Sequence, residues 1–143
     1  MTIAKILANR NASDVIACDV QTPVSEAVSM LAGKRIGALP VMQGGAVVGI
    51  ISERDVIYRL AEEGRACLDA PVEAIMTSPP VTVTPDTTID DALSLMTKRR
   101  FRHFPVIDGG RLVAFISIGD LVKSKFDEVE HEAEAMRSYI QTV

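Results

Sequence analysis

The chain has 143 residues, 48% of them hydrophobic and 24% charged, a composition that predicts one folded domain and excludes an intrinsically disordered chain. Its formal net charge of −4 argues against broad electrostatic binding to nucleic acid or anionic lipid. The longest run of apolar residues and glycine, Gly44 to Ile51, has eight residues, whereas a membrane-spanning helix needs about 20. Since the first residues also lack the pattern of a signal peptide, we expect a soluble, cytoplasmic protein.

The first half of the sequence predicts a β-α-β-β-α unit. A short helical segment at Ile3–Leu7 precedes a β-rich stretch at Val15–Val20. The next segment has apolar residues at helical spacing, namely Val24, Ala27, Val28 and Leu31. Two strand-like runs follow, Ala38–Met42 and Val47–Ile51, and the Gly44-Gly45 pair between them tolerates the positive φ angles of a tight hairpin. A second helix follows the hairpin.

The second half repeats this pattern at a constant offset of 65 residues. Residues 81–122 align with residues 16–57 without a gap, and 12 of the 42 pairs are identical, which indicates a duplication. The predicted strands of this half are Val81–Thr84, His103–Ile107 and Leu112–Ile116. The helix between the first two has its apolar face at Ile89, Ala92, Leu93 and Met96.

These patterns predict a mixed α+β fold of two β-α-β-β-α repeats and a C-terminal charged helix. We place repeat 1 at residues 1–66, repeat 2 at residues 67–126 and the helical tail at residues 127–143. The linker runs from Gly64 to about Pro71, and Val72–Met76 is predicted as a short helix that enters the second half, as Ile3–Leu7 enters the first. A sheet of about three strands cannot bury both faces alone, so we expect the repeats to pack with pseudo-twofold symmetry.

The tail carries a heptad-like stripe. Positions 122, 126, 129, 133, 136 and 140 hold its larger side chains and Ala133, at alternating steps of four and three. Such a stripe is typical of a helix that docks on a partner subunit. A helix that lies on its own domain, or a frayed end, would give the same pattern.

The residue types for a metal centre or for catalysis are sparse. Cys18 and Cys67 lie far apart and outside any C-x-x-C pair, and the histidines are His103 and His131. We therefore expect no metal site, and two small thiols that are buried or half-buried. The sequence has no phosphate-binding P-loop, no nucleophile elbow and no zinc-protease motif, and thus nothing in it supports an enzyme.

The most informative motif is a hydrophobic strand followed by S-x-x-D, which is present twice. It occurs at Ser52 to Asp55 and again at Ser117 to Asp120. One interpretation is a capping box, in which serine caps a helix and the acid three residues later reaches back. In a second interpretation the helix N-terminus and the hydroxyl attract phosphate, while the aspartate accepts hydrogen bonds from the two hydroxyls of a ribose. The two interpretations are compatible.

The doubled unit resembles a pair of CBS (cystathionine-β-synthase) domains up to about residue 126. The marks of the resemblance are Ile36-Gly37-Ala38-Leu39-Pro40-Val41 and Phe101-Arg102-His103-Phe104-Pro105-Val106. Each is followed by Gly-Gly, a hydrophobic strand and S-x-x-D. The stand-alone bacterial CBS-pair proteins that end in a charged helix resemble this chain most. The resemblance implies adenine-nucleotide binding in two clefts between the halves, the ligands being AMP, ADP, ATP, NAD(H) or S-adenosylmethionine.

The resemblance also implies roles for particular residues. Asp55 and Asp120 match the acid that binds the ribose, and Ser52 and Ser117 match the hydroxyl beside it. The positions that line the adenine pocket are matched by Ile36, Ile50, Phe101 and Phe115. The basic positions that reach phosphates are matched by Arg54, Arg102 and His103, with Arg54 expected in the cleft of the opposite half.

The basic positions differ between the repeats. Gly119 replaces Arg54 in the second repeat, while Gly37 and Ala38 replace Arg102 and His103 in the first, so we expect two clefts that are not equivalent. Two simpler interpretations remain open. His103 could be a half-buried residue bonded to backbone, and the basic run from Lys98 to Arg102 could be a solvated helix end.

Taken together, the resemblance and the duplicated site predict a non-catalytic regulatory module that senses an adenine nucleotide and forms a homodimer. The alternative is an interaction or dimerisation module in which the clefts are vestigial. Binding of nucleic acid is disfavoured by the net charge, although the basic run keeps that possibility open.

Overall fold

The computed structural model describes residues 1–142 of the chain. Its five α-helices are α1 (Ile3–Leu7), α2 (Val24–Lys34), α3 (Glu53–Glu63), α4 (Ile89–Arg99) and α5 (Ile118–Thr142). Its five strands are β1 (Cys18–Asp19), β2 (Ala38–Gln43), β3 (Ala46–Ser52), β4 (His103–Asp108) and β5 (Arg111–Ser117). The predicted mixed α+β fold of two repeats with a C-terminal helix is confirmed, and Val143 of the predicted tail lies outside the described residues.

Each repeat is built on an antiparallel hairpin, β2–β3 in the first and β4–β5 in the second. The two hairpins have the same register at the offset of 65, including an irregularity after Val41 in one and after Val106 in the other. Gly44 and Gly45 make the first turn with φ angles of 58° and 83°, a region that L-residues rarely adopt. The predicted hairpins are thus present, and each strand is one or two residues longer than expected.

The strand that opens each repeat is shorter than the sequence predicted. In the first repeat the parallel pairing with β2 is limited to the two residues of β1, because a short 3₁₀-helix at Ala12–Asp14 occupies the chain immediately before Val15. In the second repeat the corresponding contact is a single bridge from Val83 to Val106. Pro80 lies before this segment and Pro85 after it, and neither has the backbone N–H that would extend the pairing.

The two hydrophobic cores each combine a hairpin with the helices of its own repeat and one borrowed element. The first core holds Leu39, Val41 and Ile51 from the hairpin and also Val72 from the linker. The second holds Phe104, Val106, Ile116 and Leu121 together with Ile3 from α1. Each borrowed side chain is fully buried, and both therefore contribute to the stability of the repeat that they join.

The borrowed elements correct one sequence-based expectation. The short helices were expected to enter their own halves, but α1 lies on the second repeat, where Ile3 N–H donates to Thr87 O at 2.9 Å. The linker 3₁₀-helix at Val72–Ala74 lies on the first repeat, where Val72 N–H donates to Thr22 O at 2.8 Å. The sequence predicted the short helices, but the choice of repeat depends on contacts across about 50 to 90 residues of sequence.

This exchange positions the clefts. After each short helix the chain returns to its own repeat. On the way it passes the hairpin of the repeat on which the short helix lies. Thr77 forms an antiparallel bridge with Ile50 on β3, and the 3₁₀-helix at Ala12–Asp14 contacts β5. Both segments therefore border the S-x-x-D motifs at the ends of these strands. No helix among residues 1–142 is long and apolar enough to cross a bilayer.

Candidate functional site

Two cavities of about 450 Å³ each lie where the repeats meet. All eleven residues singled out in the sequence line one or both of them. The first cleft is lined by Ile50, Ser52, Arg54, Asp55, Phe101, Arg102 and His103. The second cleft is lined by Ile36, His103, Phe115, Ser117 and Asp120. The fold thus gathers residues from both repeats into two sites related by the duplication.

His103 lies at the centre of the arrangement. It borders both clefts, as does Ala38, which holds the same position in the first repeat. The His103 imidazole stacks on the Phe115 ring, with centroids 5.3 Å apart and an interplanar angle of 12°. A Cβ atom on Gly37, the residue before β2, would lie 3.4 Å from His103 Cε1, so this glycine leaves room for the His103 ring.

The S-x-x-D motif forms the same hydrogen-bond set in both repeats. Asp55 Oδ2 accepts the Ser52 backbone N–H and its hydroxyl, each at 2.9 Å, while the Asp55 N–H donates back to Ser52 Oγ at 3.3 Å. The corresponding distances between Ser117 and Asp120 are 2.8, 3.1 and 3.2 Å. The capping-box interpretation is therefore correct for both copies. It uses one carboxylate oxygen of each aspartate and leaves Oδ1 for other partners.

The two Oδ1 atoms have different partners, neither of which the sequence pattern indicated. Thr77 Oγ1 donates to Asp55 Oδ1 at 3.2 Å, and Arg10 Nη2 donates to Asp120 Oδ1 at 2.5 Å. Both partners belong to the segments that follow the exchanged short helices. A carboxylate oxygen has two lone pairs, so each Oδ1 can accept one further hydrogen bond.

The electrostatic state of the second cleft follows from these contacts. Burial by itself would raise the pKa of Asp120, but the hydrogen bonds from Ser117 and the Arg10 guanidinium hold that pKa below its usual value. Asp120 is therefore ionised at neutral pH. Burial lowers the pKa of His103, against the opposing influence of Asp120 and Glu53, so its imidazole is neutral at pH 7. A neutral His103 supplies a donor or acceptor and an aromatic face rather than a fixed positive charge.

The first cleft is rich in arginine. Four arginines line it, Arg54, Arg99, Arg100 and Arg102, against the carboxylates of Glu53 and Asp55. Among residues 1–142 none of these four guanidinium groups has an ion-pair or hydrogen-bond partner. Arginines that converge unpaired on one cavity form an anion-binding surface.

The resemblance implies that Arg54 reaches the cleft of the opposite half, and this stays a prediction. Arg54 lines the first cleft, together with Ser52 and Asp55 of its own repeat. Its place in the first turn of α3, between the serine and the aspartate of the motif, keeps the start of its side chain at that cleft.

The second cleft has the opposite charge balance. Its cation is Arg10, which is bonded to Asp120, and Asp14 adds a further carboxylate. Gly119 stands where the first repeat has Arg54 and contributes no charge. The two clefts are therefore similar in volume and in their S-x-x-D geometry but differ in the charge that they present to a ligand.

Apolar walls complete both clefts. Phe101 in the first cleft is half-buried and makes an edge-to-face contact with Phe104, at 4.9 Å between ring centroids. Phe115 and Ile36 form the corresponding wall of the second cleft. Such walls suit a flat heteroaromatic ring. The part of the chain that the structure describes contains no cluster of three or more side chains suited to holding a metal ion.

Comparison with known proteins assigns the architecture. The family model of the CBS domain matches residues 7–62 and 72–127. The CBS domain-containing protein CBSX3, mitochondrial, of Arabidopsis thaliana is 36% identical over 129 residues, in a match that covers 87% of this chain and 63% of that protein. The chain thus spans less than two thirds of the length of this relative.

Solved structures agree with this assignment. The CBS-domain protein ATU1752 from Agrobacterium tumefaciens is 36% identical, with a TM-score of 0.82 over 87% of this chain and 99% of that one. The CBS domain pair of protein MJ0100, solved with 5-methylthioadenosine and S-adenosyl-L-methionine, is 25% identical, with a TM-score of 0.76 over 90% of this chain and 98% of that one. With both repeats matched and the two clefts between them, this chain belongs to the CBS-domain family and carries a tandem pair of CBS domains.

Proposed function

We propose that this CBS pair is a non-catalytic regulatory module that binds an adenine nucleotide in its first cleft. The observation that carries the proposal is the convergence of four unpaired arginines on a cavity that also holds Asp55 and an apolar wall. Phosphate, ribose and adenine each find a suitable group within this one cavity of about 450 Å³.

Each part of the nucleotide has a proposed site. The adenine ring packs against Ile50 and Phe101, and one ribose hydroxyl donates to the lone pair of Asp55 Oδ1 that Thr77 leaves available. The phosphates are bound by Arg54, Arg99, Arg100 and Arg102. These roles match those that the family resemblance implies for Ile50, Asp55, Phe101 and Arg102.

The ligand candidates are AMP, ATP and NAD(H), which share adenine, ribose and phosphate. Four arginines against two carboxylates favour the ligand with more phosphate charge, so we expect ATP to bind more tightly than AMP at low ionic strength. The pair of protein MJ0100, which has adenosine derivatives bound, supports the adenosine part of the proposal. A ligand that contacts both repeats favours one relative packing of them, and this difference in affinity is the signal to a regulated protein.

The charge of the second cleft favours a different adenosine ligand. Asp14 and Asp120 outnumber Arg10 there, so a phosphate-free or cationic adenosine derivative, such as S-adenosylmethionine, fits better than a polyphosphate. This is the second candidate for the function, and it concerns the second cleft alone.

The test is calorimetric titration of the full chain, checked to be free of co-purified nucleotide, with ATP, AMP, NAD and adenosine. We expect Arg100→Ala to weaken ATP binding about 10- to 150-fold, because a charge-assisted hydrogen bond contributes about 1.5–3 kcal/mol. Arg35→Ala is the matched control. Arg35 follows α2 as Arg100 follows α4, and both have a left-handed backbone conformation, with φ angles of 52° and 58°. Arg35 lines neither cleft.

Two results would contradict the proposal. If none of the four ligands binds, the clefts are vestigial and the chain is an interaction module. If the Arg100 and Arg35 substitutions weaken ATP binding equally, the loss reflects the helix end rather than a phosphate contact.

A further inference from the structure

Helix α5 extends well beyond the core that anchors it. Its 25 residues span about 37 Å. The N-terminal part is fixed by the buried Leu121 and by an ion pair of 2.9 Å from Lys125 Nζ to Asp90 Oδ1. From Val129 to Gln141 every residue is exposed except Ala133, which is half-buried. A helical segment of this length is only marginally stable alone in water, so this part of α5 needs a partner.

The exposed part of α5 presents an apolar stripe. Phe126, Met136 and Ile140 are 70%, 63% and 67% exposed, and Val122 and Val129 are exposed as well. With Ala133 these residues occupy the a and d positions of a heptad, a at 126, 133 and 140 and d at 122, 129 and 136. A continuous apolar seam of this kind on a helix that leaves its domain is typical of one strand of a coiled coil.

The charges beside the seam indicate what covers it. In a parallel, in-register pair with a second copy of the chain, each g residue faces the e residue of the next heptad. Lys125 then faces Glu130 of the second copy, and Glu132 faces Arg137 of the second copy. Both pairs have opposite charge, and symmetry doubles them. Lys125 can also keep its bond to Asp90, because an ammonium group has three donors.

The antiparallel alternative has the opposite charge pattern. With the same overlap of the apolar residues, e faces e and g faces g. Lys123 would then face Arg137 of the second copy, and Glu130 and Glu132 would each face their own equivalents. In each of these pairs the two residues carry the same charge, and their repulsion opposes association.

We propose that two copies of this chain associate through α5 as a parallel, two-stranded coiled coil over residues 122–140. The seam supplies the attraction, and the g–e charges select the orientation. This assigns an interface to the homodimer that the family resemblance implied. It does not depend on ligand binding, since none of its residues lines either cleft.

The first test measures the mass of the full chain in solution at tens of micromolar, by light scattering or sedimentation. We expect twice the chain mass of 15.4 kDa. Val129→Glu should give the monomer, because it places a charge in the seam. Ala135→Glu introduces the same charge on the same exposed helix but at a c position, away from the seam, and should remain dimeric. A monomeric wild type, or a dimer that Val129→Glu leaves intact, would overturn the proposal.

The second test determines the orientation. Ile140→Cys places two thiols side by side in the parallel pair, and oxidation should give a covalent dimer. In the antiparallel pair the same residue faces Val122 of the second copy, so the two introduced thiols lie about 27 Å apart and cannot join. The native Cys18 and Cys67 are both buried, which leaves the introduced thiol as the accessible one. A dimer in which Ile140→Cys fails to form the disulfide would exclude the parallel arrangement.

A charge exchange tests the selection of orientation independently. Glu132→Arg should weaken the dimer by placing two cations together, and Glu132→Arg with Arg137→Glu should restore it. Residues 132 and 137 do not face each other on one helix, so the rescue reports the contact between copies. Equal dissociation of the single and double variants would contradict the proposed g–e pairing.

Discussion

Arg10 bonds to Asp120, 110 residues further along the chain, at a distance of 2.5 Å from Nη2 to Oδ1. Asp120 is the aspartate of the second S-x-x-D motif, and its other oxygen closes the capping box with Ser117. The guanidinium thus occupies one acceptor site of a carboxylate that also faces the second cleft. A ligand that donates hydroxyl groups to Asp120 must share this oxygen with Arg10 or displace it.

Removal of this arginine is expected to change ligand affinity more than stability. The pair is part-exposed, with 37% and 26% of the two side chains accessible, so Arg10→Ala should destabilise the fold by only about 0.2–1 kcal/mol. Adenosine or S-adenosylmethionine should bind the second cleft several-fold more tightly in the variant, because Asp120 Oδ1 is then free to accept. Calorimetric titration measures this change.

Arg59→Ala provides the control. It removes a comparable exposed ion pair, with Glu63 at 3.0 Å, from a part of α3 that lines neither cleft, and should leave the affinity unchanged. Weaker binding in Arg10→Ala would show that the arginine is itself a ligand contact.

Acid should destabilise the protein in part through Asp120. Because its folded-state pKa lies below the ordinary value, Asp120 contributes stability that is present above the unfolded pKa, about 3.9, and is lost as the pH falls through the folded pKa. Urea unfolding between pH 7 and pH 2.5 should therefore show a smaller loss of stability in Asp120→Asn than in the wild type, with the difference confined to pH values below about 5. Parallel curves for the two proteins would contradict this assignment.

Gly49 permits a close approach between β3 and the segment that borders the first cleft. A Cβ atom there would lie 2.5 Å from Met76 Sδ and 3.0 Å from the Thr77 carbonyl oxygen. Gly49→Ala should therefore destabilise the protein by about 1–3 kcal/mol, since the thioether can move but the backbone is held by its bridge to Ile50. Urea denaturation gives the value.

Gly33→Ala is the matched substitution. Gly33 lies in α2 and nothing lies within 4 Å of the added methyl group, so this change should stabilise the protein by about 0.5–1 kcal/mol. A similar effect of both substitutions would mean that the close approach at Gly49 has no energetic consequence.

The elements that the sequence predicted well depend on local patterns. The hairpin turn at Gly44-Gly45 and the apolar face of α2 are set by neighbouring residues, and the duplication allowed each feature to be checked in the other repeat. The S-x-x-D motifs and the aromatic residues beside them were also predictable, because their positions come from the same repeat. The serine and aspartate of both motifs line the clefts in the structure, as do Phe101 and Phe115.

The features that escaped prediction depend on contacts between distant segments. The exchange of α1 and the linker 3₁₀-helix between repeats leaves no periodic signal, and the 65-residue offset carries no information about it. Arg10 and Thr77 reach the aspartates only because of that exchange, and neither has a counterpart of the same residue type in the other repeat. Arg99 and Arg100 were part of a recognised basic run, but their approach to the first cleft required the packed structure.

The neutral His103 at the centre of the two clefts should couple nucleotide binding to proton uptake. Its pKa is lowered by burial in the free protein, and a bound phosphate would favour the imidazolium form and raise it. The affinity for ATP should therefore increase as the pH falls through the pKa of the bound state and become constant below the pKa of the free state. The imidazole resonances of His103 should show the raised pKa directly by nuclear magnetic resonance, with His131→Gln used to identify them.

Calorimetry gives a second measure of the same linkage. The observed binding enthalpy of ATP should depend on the ionisation enthalpy of the buffer, whereas adenosine, which occupies the cleft without phosphate, should give the same enthalpy in every buffer. His103→Gln retains a hydrogen-bonding side chain of similar length but cannot take up a proton, and should remove the buffer dependence for ATP. If the wild type binds ATP with no proton uptake, or if adenosine shows the same uptake, the phosphates do not lie near His103.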